Sequence, residues 1–222
     1  MIVERTQRLL ERIYSVAGGH SAADFLVTDK VAAQTLEGEA GNPRDVPEKL
    51  LVAQDEEGAR LALYLDESVL NRLGENNPHS ELNDSNLDDF WTVLEGISHF
   101  LYLTWRAAAG HAVSLLELEL QAEVDKYVCT AVLAAGQSSG KVPRALHHSL
   151  FERPVLDPRL AQPEHERYRL ANRYAGKYCL RLARVFFGRR RVRGLLPEIR
   201  SFYRLGQRDK LRHIDHGALQ PG

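Results

Sequence analysis

The chain has 222 residues, 44% of them hydrophobic and 27% charged, with a mean hydropathy of −0.34 and a formal net charge of only −1. That size and balance allow a hydrophobic core without staples and exclude disorder over the whole length. No apolar run approaches the roughly 20 residues that a bilayer-spanning helix needs. The first fourteen residues, interrupted by Glu4, Arg5, Arg8, Glu11 and Arg12, lack the unbroken apolar stretch of a secretory leader. Two cysteines, Cys129 and Cys179, do not make a disulfide framework, so a reducing, cytoplasmic setting is the expectation.

In chain order, Val3 to Ala17 places Leu9, Leu10, Ile13, Val16 and Ala17 on one helical stripe, with Gly18-Gly19 as the stop. Phe25 to Val27 is a candidate strand, and Glu37 to Pro47, with two glycines and two prolines, reads as a loop. Lys49–Gln54 and Ala59–Asp66 flank a turn at Gly58, and the second run alternates Leu61, Leu63 and Leu65 against Ala62 and Tyr64. These are the marks of a β-hairpin. Asp66 is placed to cap a short helix through Leu73, and Gly74 to Ser85 is polar and loop-like.

The strongest helical period is Leu87, Phe90, Leu94, Ile97, Leu101 and Trp105, with Asn86 as the expected N-cap and Gly110 as the break. Ser114 is placed to cap the next helix, about Leu115 to Ala135. Its first residues, Leu116 to Leu120, also alternate like a strand, but the helical period continues uninterrupted beyond them. The short connection predicts an antiparallel helix hairpin. Past the Gly/Ser-rich segment from Gln137 to Val142 come a short helix at Arg144 to Phe151, an irregular connector, and a long helix from Pro163 to about Phe187. Two short helices, Leu196–Leu205 and Gln207–Ile214, follow around Gly206.

The expected fold class is therefore mainly α (α+β), a helical body with an antiparallel helix hairpin plus a small N-terminal β-hairpin. The expected division is an α+β region over 1–85, the helix hairpin over 86–140 and a basic helical region over 141–222, or one continuous domain.

The near-zero net charge hides a segregation along the chain. Residues 141–222 carry 19 Lys and Arg against 7 Asp and Glu, whereas residues 1–140 carry 10 against 23. The basic cluster of Arg189, Arg190, Arg191, Arg193, Arg200, Arg204, Arg208 and Lys210 suits either an acidic protein face, including a second copy of the chain, or nucleic-acid phosphate. A charged seam within the molecule would account for the same residues. The primary expectation is a non-enzymatic binding or adaptor protein using this surface, with RNA or DNA binding as the alternative.

A second alternative is a helical enzyme or metal protein. Glu95, His99, Tyr102 and Arg106 make one stripe on the first long helix, and Glu119, Glu123 and Lys126 lie along the next. Antiparallel packing brings His99 toward a carboxylate, the pairing used for general-base or metal chemistry. Glu95, His99 and Glu123 are the candidates. Their i, i+4 spacing departs from the Glu-x-x-His of bundle di-metal sites, and an edge of ordinary ion pairs explains them equally well. Pairs of histidines at 147–148 and 213/216 give no ligand set that ordinary surface chemistry does not explain. The phosphate-loop, dinucleotide, nucleophile-elbow and His-Glu-x-x-His motifs are all absent, and no cofactor is predicted.

Overall fold

A computed structural model describes residues 1–17, 19–38, 45–55, 58–152, 161–187 and 194–217. The fold is mainly helical with a minor β element. Helix α1 (Ile2–Tyr14) buries Leu9, Leu10, Ile13 and Tyr14. It ends four residues before the expected Gly18, because Ser15 takes the left-handed conformation (φ 52°) and its N–H bonds the carbonyl of Glu11. After strand β1 (Leu26–Val27) comes helix α2 (Lys30–Gly38), which no sequence pattern marked and which takes in the first two residues of the loop expected from Glu37; residues 39–44 of that loop lie outside the described residues. Asp29 starts it, accepting a hydrogen bond from the Ala32 N–H at 2.6 Å.

Strands β2 (Glu48–Asp55) and β3 (Gly58–Leu65) form the predicted hairpin. Gly58 has φ 139°, a conformation that side-chain-bearing residues avoid. Strand β1 adds to β3 in parallel, giving a three-stranded sheet in the order β1-β3-β2. The register pairs Leu50 with Leu63 and Glu48 with Leu65, so these four residues share one sheet face. Helix α3 (Glu67–Glu75) begins at Asp66, whose side chain accepts from the Ser68 N–H at 2.9 Å, as expected.

Helices α4 (Leu87–Ala108) and α5 (Leu115–Gln137) form the antiparallel hairpin at the centre of the molecule. Ser114 caps α5 through the Glu117 N–H at 3.1 Å, and the ambiguous Leu116–Leu120 run is helical. Asn86 behaves otherwise than expected. Its side chain makes no cap but turns back to hold the preceding loop, donating to the carbonyl of Glu81 at 2.8 Å and accepting from the Asn83 N–H at 3.0 Å. Trp91 of α4 donates to Thr130 of α5 at 3.0 Å.

The short helix α6 (Leu146–Phe151) and the long α7 (Gln162–Leu182) pack on α5. A π turn at Ala183–Phe187 extends α7. Helices α8 (Leu195–Arg204) and α9 (Gln207–His216) close the fold, with α8 against α1 and α9 against α7. One hydrophobic cluster runs from Val3 of α1 to Ile214 of α9, through fully buried Phe90, Phe100, Tyr102, Tyr178 and Phe202. No helix among the described residues is long and apolar enough to cross a membrane.

Candidate metal centre

The polar stripe of α4 divides in two. At its N-terminal end Glu95 and His99 face Glu119 of α5, and one ligand atom from each of the three lies within 4.8 Å of the others. Helical spacing places Glu95 and His99 one turn apart on α4, and the antiparallel packing of α5 supplies Glu119 across from them. The third wall comes from the sheet. Glu48 opens β2 on the face that packs on α4. Gly96 permits that approach: a Cβ there would lie 2.8 Å from Glu48 Cγ and 2.9 Å from Leu63 Cδ1. Tyr168 of α7 donates a hydrogen bond to Glu119 from a fourth direction.

The imidazole of His99 is buried. Its Nδ1 lies 3.5 Å from Glu48 Oε1 and its Nε2 3.7 Å from Glu119 Oε2. Neither Nε2 nor Glu48 Oε1 has a hydrogen-bond partner among the described residues. Buried polar atoms left this way are uncommon, since each costs about 1–3 kcal/mol relative to a bonded one. Two atoms that ligate a common ion at about 2.1 Å stand roughly 3–3.5 Å apart, so the 3.7 Å between His99 Nε2 and Glu119 Oε2 is slightly wide of that spacing.

The electrostatics point the same way. Glu48, Glu95 and Glu119 crowd a single imidazole. Burial, reinforced by the charges of Glu95 and Glu48 against that of His99, pushes the Glu119 carboxyl up to about 7. Burial also raises Glu48, against the opposing pull of His99. Burial works against a charged His99, but Glu48, Glu119 and Glu95 outweigh it and push the imidazole up to about 9. Burial would raise Glu95 too, yet Lys126 and His99 hold it below its ordinary value. Negative charge thus exceeds the positive charge set against it, which a divalent cation would relieve.

Of the three sequence candidates, Glu95 and His99 meet, while Glu123 sits one turn further along α5. There it pairs with Lys126 at 2.8 Å, and Lys126 reaches Glu95 at 2.6 Å. Glu119 takes the place beside His99 because it faces that level of α4. Sequence pattern gives Glu48, Gly96 and Tyr168 no place in this cluster, since only the long-range packing of sheet and α7 brings them there.

The other end of the stripe is a separate network. Tyr102 donates to Glu117 at 2.6 Å, and Glu117 also accepts the Gln207 N–H at 3.0 Å. Deeper in, Asp125 accepts hydrogen bonds from Tyr14, from Ser98 at 2.6 Å and from Gln121 at 2.7 Å.

The basic residues of the C-terminal region are distributed unevenly. Lys210 is fully buried rather than on a surface. It donates to Gln121 at 2.5 Å and to the Phe202 carbonyl at 3.0 Å, under the rings of Tyr102, Phe202 and Tyr203. Arg200 and Arg204 satisfy the open carbonyls at the end of α1. Arg200 donates to Ile13 and Arg12 at 2.8 and 3.1 Å, and Arg204 to Tyr14 and Ser15 at 3.3 and 3.2 Å. Arg208 is exposed. Arg189, Arg190, Arg191 and Arg193 lie outside the described residues. Three of the other histidines are engaged in ordinary contacts, His147 with the Gly176 carbonyl at 2.8 Å, His148 with Glu152 at 2.6 Å and His213 with Glu198 at 2.7 Å. Comparison with known proteins adds nothing to this description, for no family model, curated protein or solved structure gives a significant match to the chain.

Proposed function

We propose that this protein is a metal-dependent enzyme whose centre is one divalent transition-metal ion held by Glu95, His99 and Glu119. The observation that carries the reading is His99 Nε2, buried among carboxylates without a hydrogen bond. The donor set of one imidazole and two carboxylates suits Zn²⁺, Mn²⁺ or Fe²⁺ rather than a soft ion. Glu48 stands where the orienting carboxylate of a metal-bound histidine stands, beside the other ring nitrogen, and Tyr168 fixes Glu119.

Three protein ligands are the number found in catalytic centres, which keep a position for water or substrate. The Glu95 side chain, 23% exposed, is the more open side of the cluster, while His99 and Glu119 are each 10% exposed. The chemistry such a centre supplies is polarisation of a carbonyl or phosphoryl oxygen and activation of water, so hydrolysis of an ester, amide or phosphoester is the reaction class to assay.

Binding through the basic C-terminal surface has less to support it. Of the eight basic residues that suggested it, Lys210 is inside the core and Arg200 and Arg204 are committed to α1. The test is metal content. Protein purified without chelator should carry about one equivalent of Zn²⁺, Mn²⁺ or Fe²⁺ by mass spectrometry, and should bind Co²⁺ with visible absorption bands. The His99→Ala variant should do neither. Wild-type protein that is metal-free and silent toward Co²⁺ would remove the reading.

A further inference from the structure

Lys126 is not explained by the centre as described. Its side chain is 12% exposed, and its ammonium lies between two carboxylates from facing helices, 2.6 Å from Glu95 Oε2 on α4 and 2.8 Å from Glu123 Oε1 on α5. Glu95 is thereby shared between the metal ligands on one side and this ammonium on the other. A carboxylate shared by two positive centres, with a further carboxylate on the far one, is the layout of a two-cation site.

The spacing along α5 makes the same point. Glu123 and residue 126 are three apart on the face turned toward α4. In helix bundles that hold two metal ions, a Glu-x-x-His pair at this spacing supplies ligands to an ion. Here Lys occupies the His position. Its tethered charge sits between the carboxylates that a second ion would use, and its three N–H donors cannot ligate a metal while protonated.

We propose that Lys126 is an internal replacement for a second metal ion, and that it restricts the centre to a single divalent cation. This rests on the metal reading of Glu95, His99 and Glu119. Its consequence is chemical: a mononuclear centre has one Lewis acid, and Lys126 supplies a fixed positive charge, without a metal-bound water, where the second would stand.

The test is stoichiometry. Calorimetric titration of chelator-treated full-length protein with Mn²⁺ should give one equivalent for wild type. Lys126→His creates a Glu-x-x-His pair and should give two, with the electron paramagnetic resonance spectrum of a coupled Mn²⁺ pair. Lys126→Gln, close in volume, leaves Glu95 and Glu123 facing one another without a cation. It should add a second equivalent bound at least tenfold more weakly than the first. One equivalent in wild type and in both variants overturns the role of Lys126 while leaving the metal centre standing. If Lys126→His does not fold, the Gln variant decides alone. No Mn²⁺ bound by wild type, whatever the variants do, overturns the centre itself and this inference with it.

Discussion

The two ends of the α4 stripe are made of the same kinds of residue and are treated in opposite ways. At the C-terminal end, Tyr102 and Arg106 join Glu117, next to the network of Tyr14, Ser98, Gln121, Asp125 and Lys210. Nearly every polar atom there is satisfied. The exception is Arg106 Nε, which remains 3.7 Å from Glu117 while another guanidinium nitrogen reaches the Arg204 carbonyl at 3.4 Å. At the N-terminal end, His99 and Glu48 keep buried atoms without hydrogen bonds, among carboxylates that repel one another. A saturated network rigidifies the place where α1, α5, α8 and α9 converge. An unsaturated one of equal burial is costly unless something else completes it. On the proposed metal reading, the contrast separates structural polarity from a site that a ligand completes.

The comparison can be broken most severely at Asp125, which is 1% exposed and accepts three hydrogen bonds. Asp125→Ala leaves those donors unpaired and should lower stability by about 3 kcal/mol or more in a urea melt. Affinity for Co²⁺ should persist under conditions where the variant is folded.

His99→Ala should behave in the reverse manner. It removes the imidazolium that Glu48, Glu119 and Glu95 hold charged, but no hydrogen bond, so chelator-treated stability should fall by about 1–3 kcal/mol, less than for Asp125→Ala. The added stability that metal confers on wild type, about 2.7 kcal/mol at a hundredfold excess over Kd, should vanish. Differential scanning calorimetry with and without metal reads both.

Gly96→Ala sharpens the comparison from the sheet side. The added methyl meets Glu48 and Leu63, so β2 and β3 must shift from α4, at a cost of about 1–3 kcal/mol in thermal or urea unfolding. Displacing Glu48 from His99 should also lower metal affinity by about 10–100-fold, the usual effect of removing an orienting partner.

Lys210 gives a pH signature that no change at the metal ligands should alter. Burial depresses its amine from 10.5 to about 7, against the partial support of Glu117 and Asp125 and with Arg106 opposing. Between about 7 and 10.5 the unfolded chain binds the proton that the folded one has released, so stability contributed by this group rises with pH across that window. Below 7 both states are protonated and the full cost of the buried ammonium is present. Lys210→Met should flatten the rise of urea midpoints between pH 7 and 10.

Helix period and alternation made most elements legible in the sequence. Leu87 to Trp105 repeats every three to four residues, and Leu61, Leu63 and Leu65 alternate, because burial on one face imposes those periods. Asp66 and Ser114 were readable as caps since a short side-chain oxygen beside free N–H groups has one obvious use. Asn86 offered the same local signal, but the loop from Asn76 to Asn83 competed successfully for its amide. Helix α2 escaped because Lys30 to Gly38 buries only Ala33 and Glu37 and so shows a weak stripe.

Two of the three proposed ligands followed from i, i+4 spacing on one helix. The level at which α5 faces α4 selects Glu119 over Glu123, and that depends on packing rather than on local pattern. Glu48 and Tyr168 arrive from chain segments 51 residues before and 69 residues after His99. Gly96 was a signal present in the sequence: a glycine inside a strong helix, costing about 1 kcal/mol relative to alanine, implies that something approaches closely. The charge segregation was real along the chain, but a basic residue can end in a core or on a helix terminus, as Lys210 and Arg200 do.

The most direct test of the account is a crystal structure of the protein soaked with Mn²⁺, with anomalous diffraction recorded. A single strong anomalous peak about 2.1 Å from His99 Nε2 and from oxygens of Glu95 and Glu119 is the predicted result. Well-ordered side chains at those three positions with no peak between them, or a peak at an unrelated site alone, would contradict it.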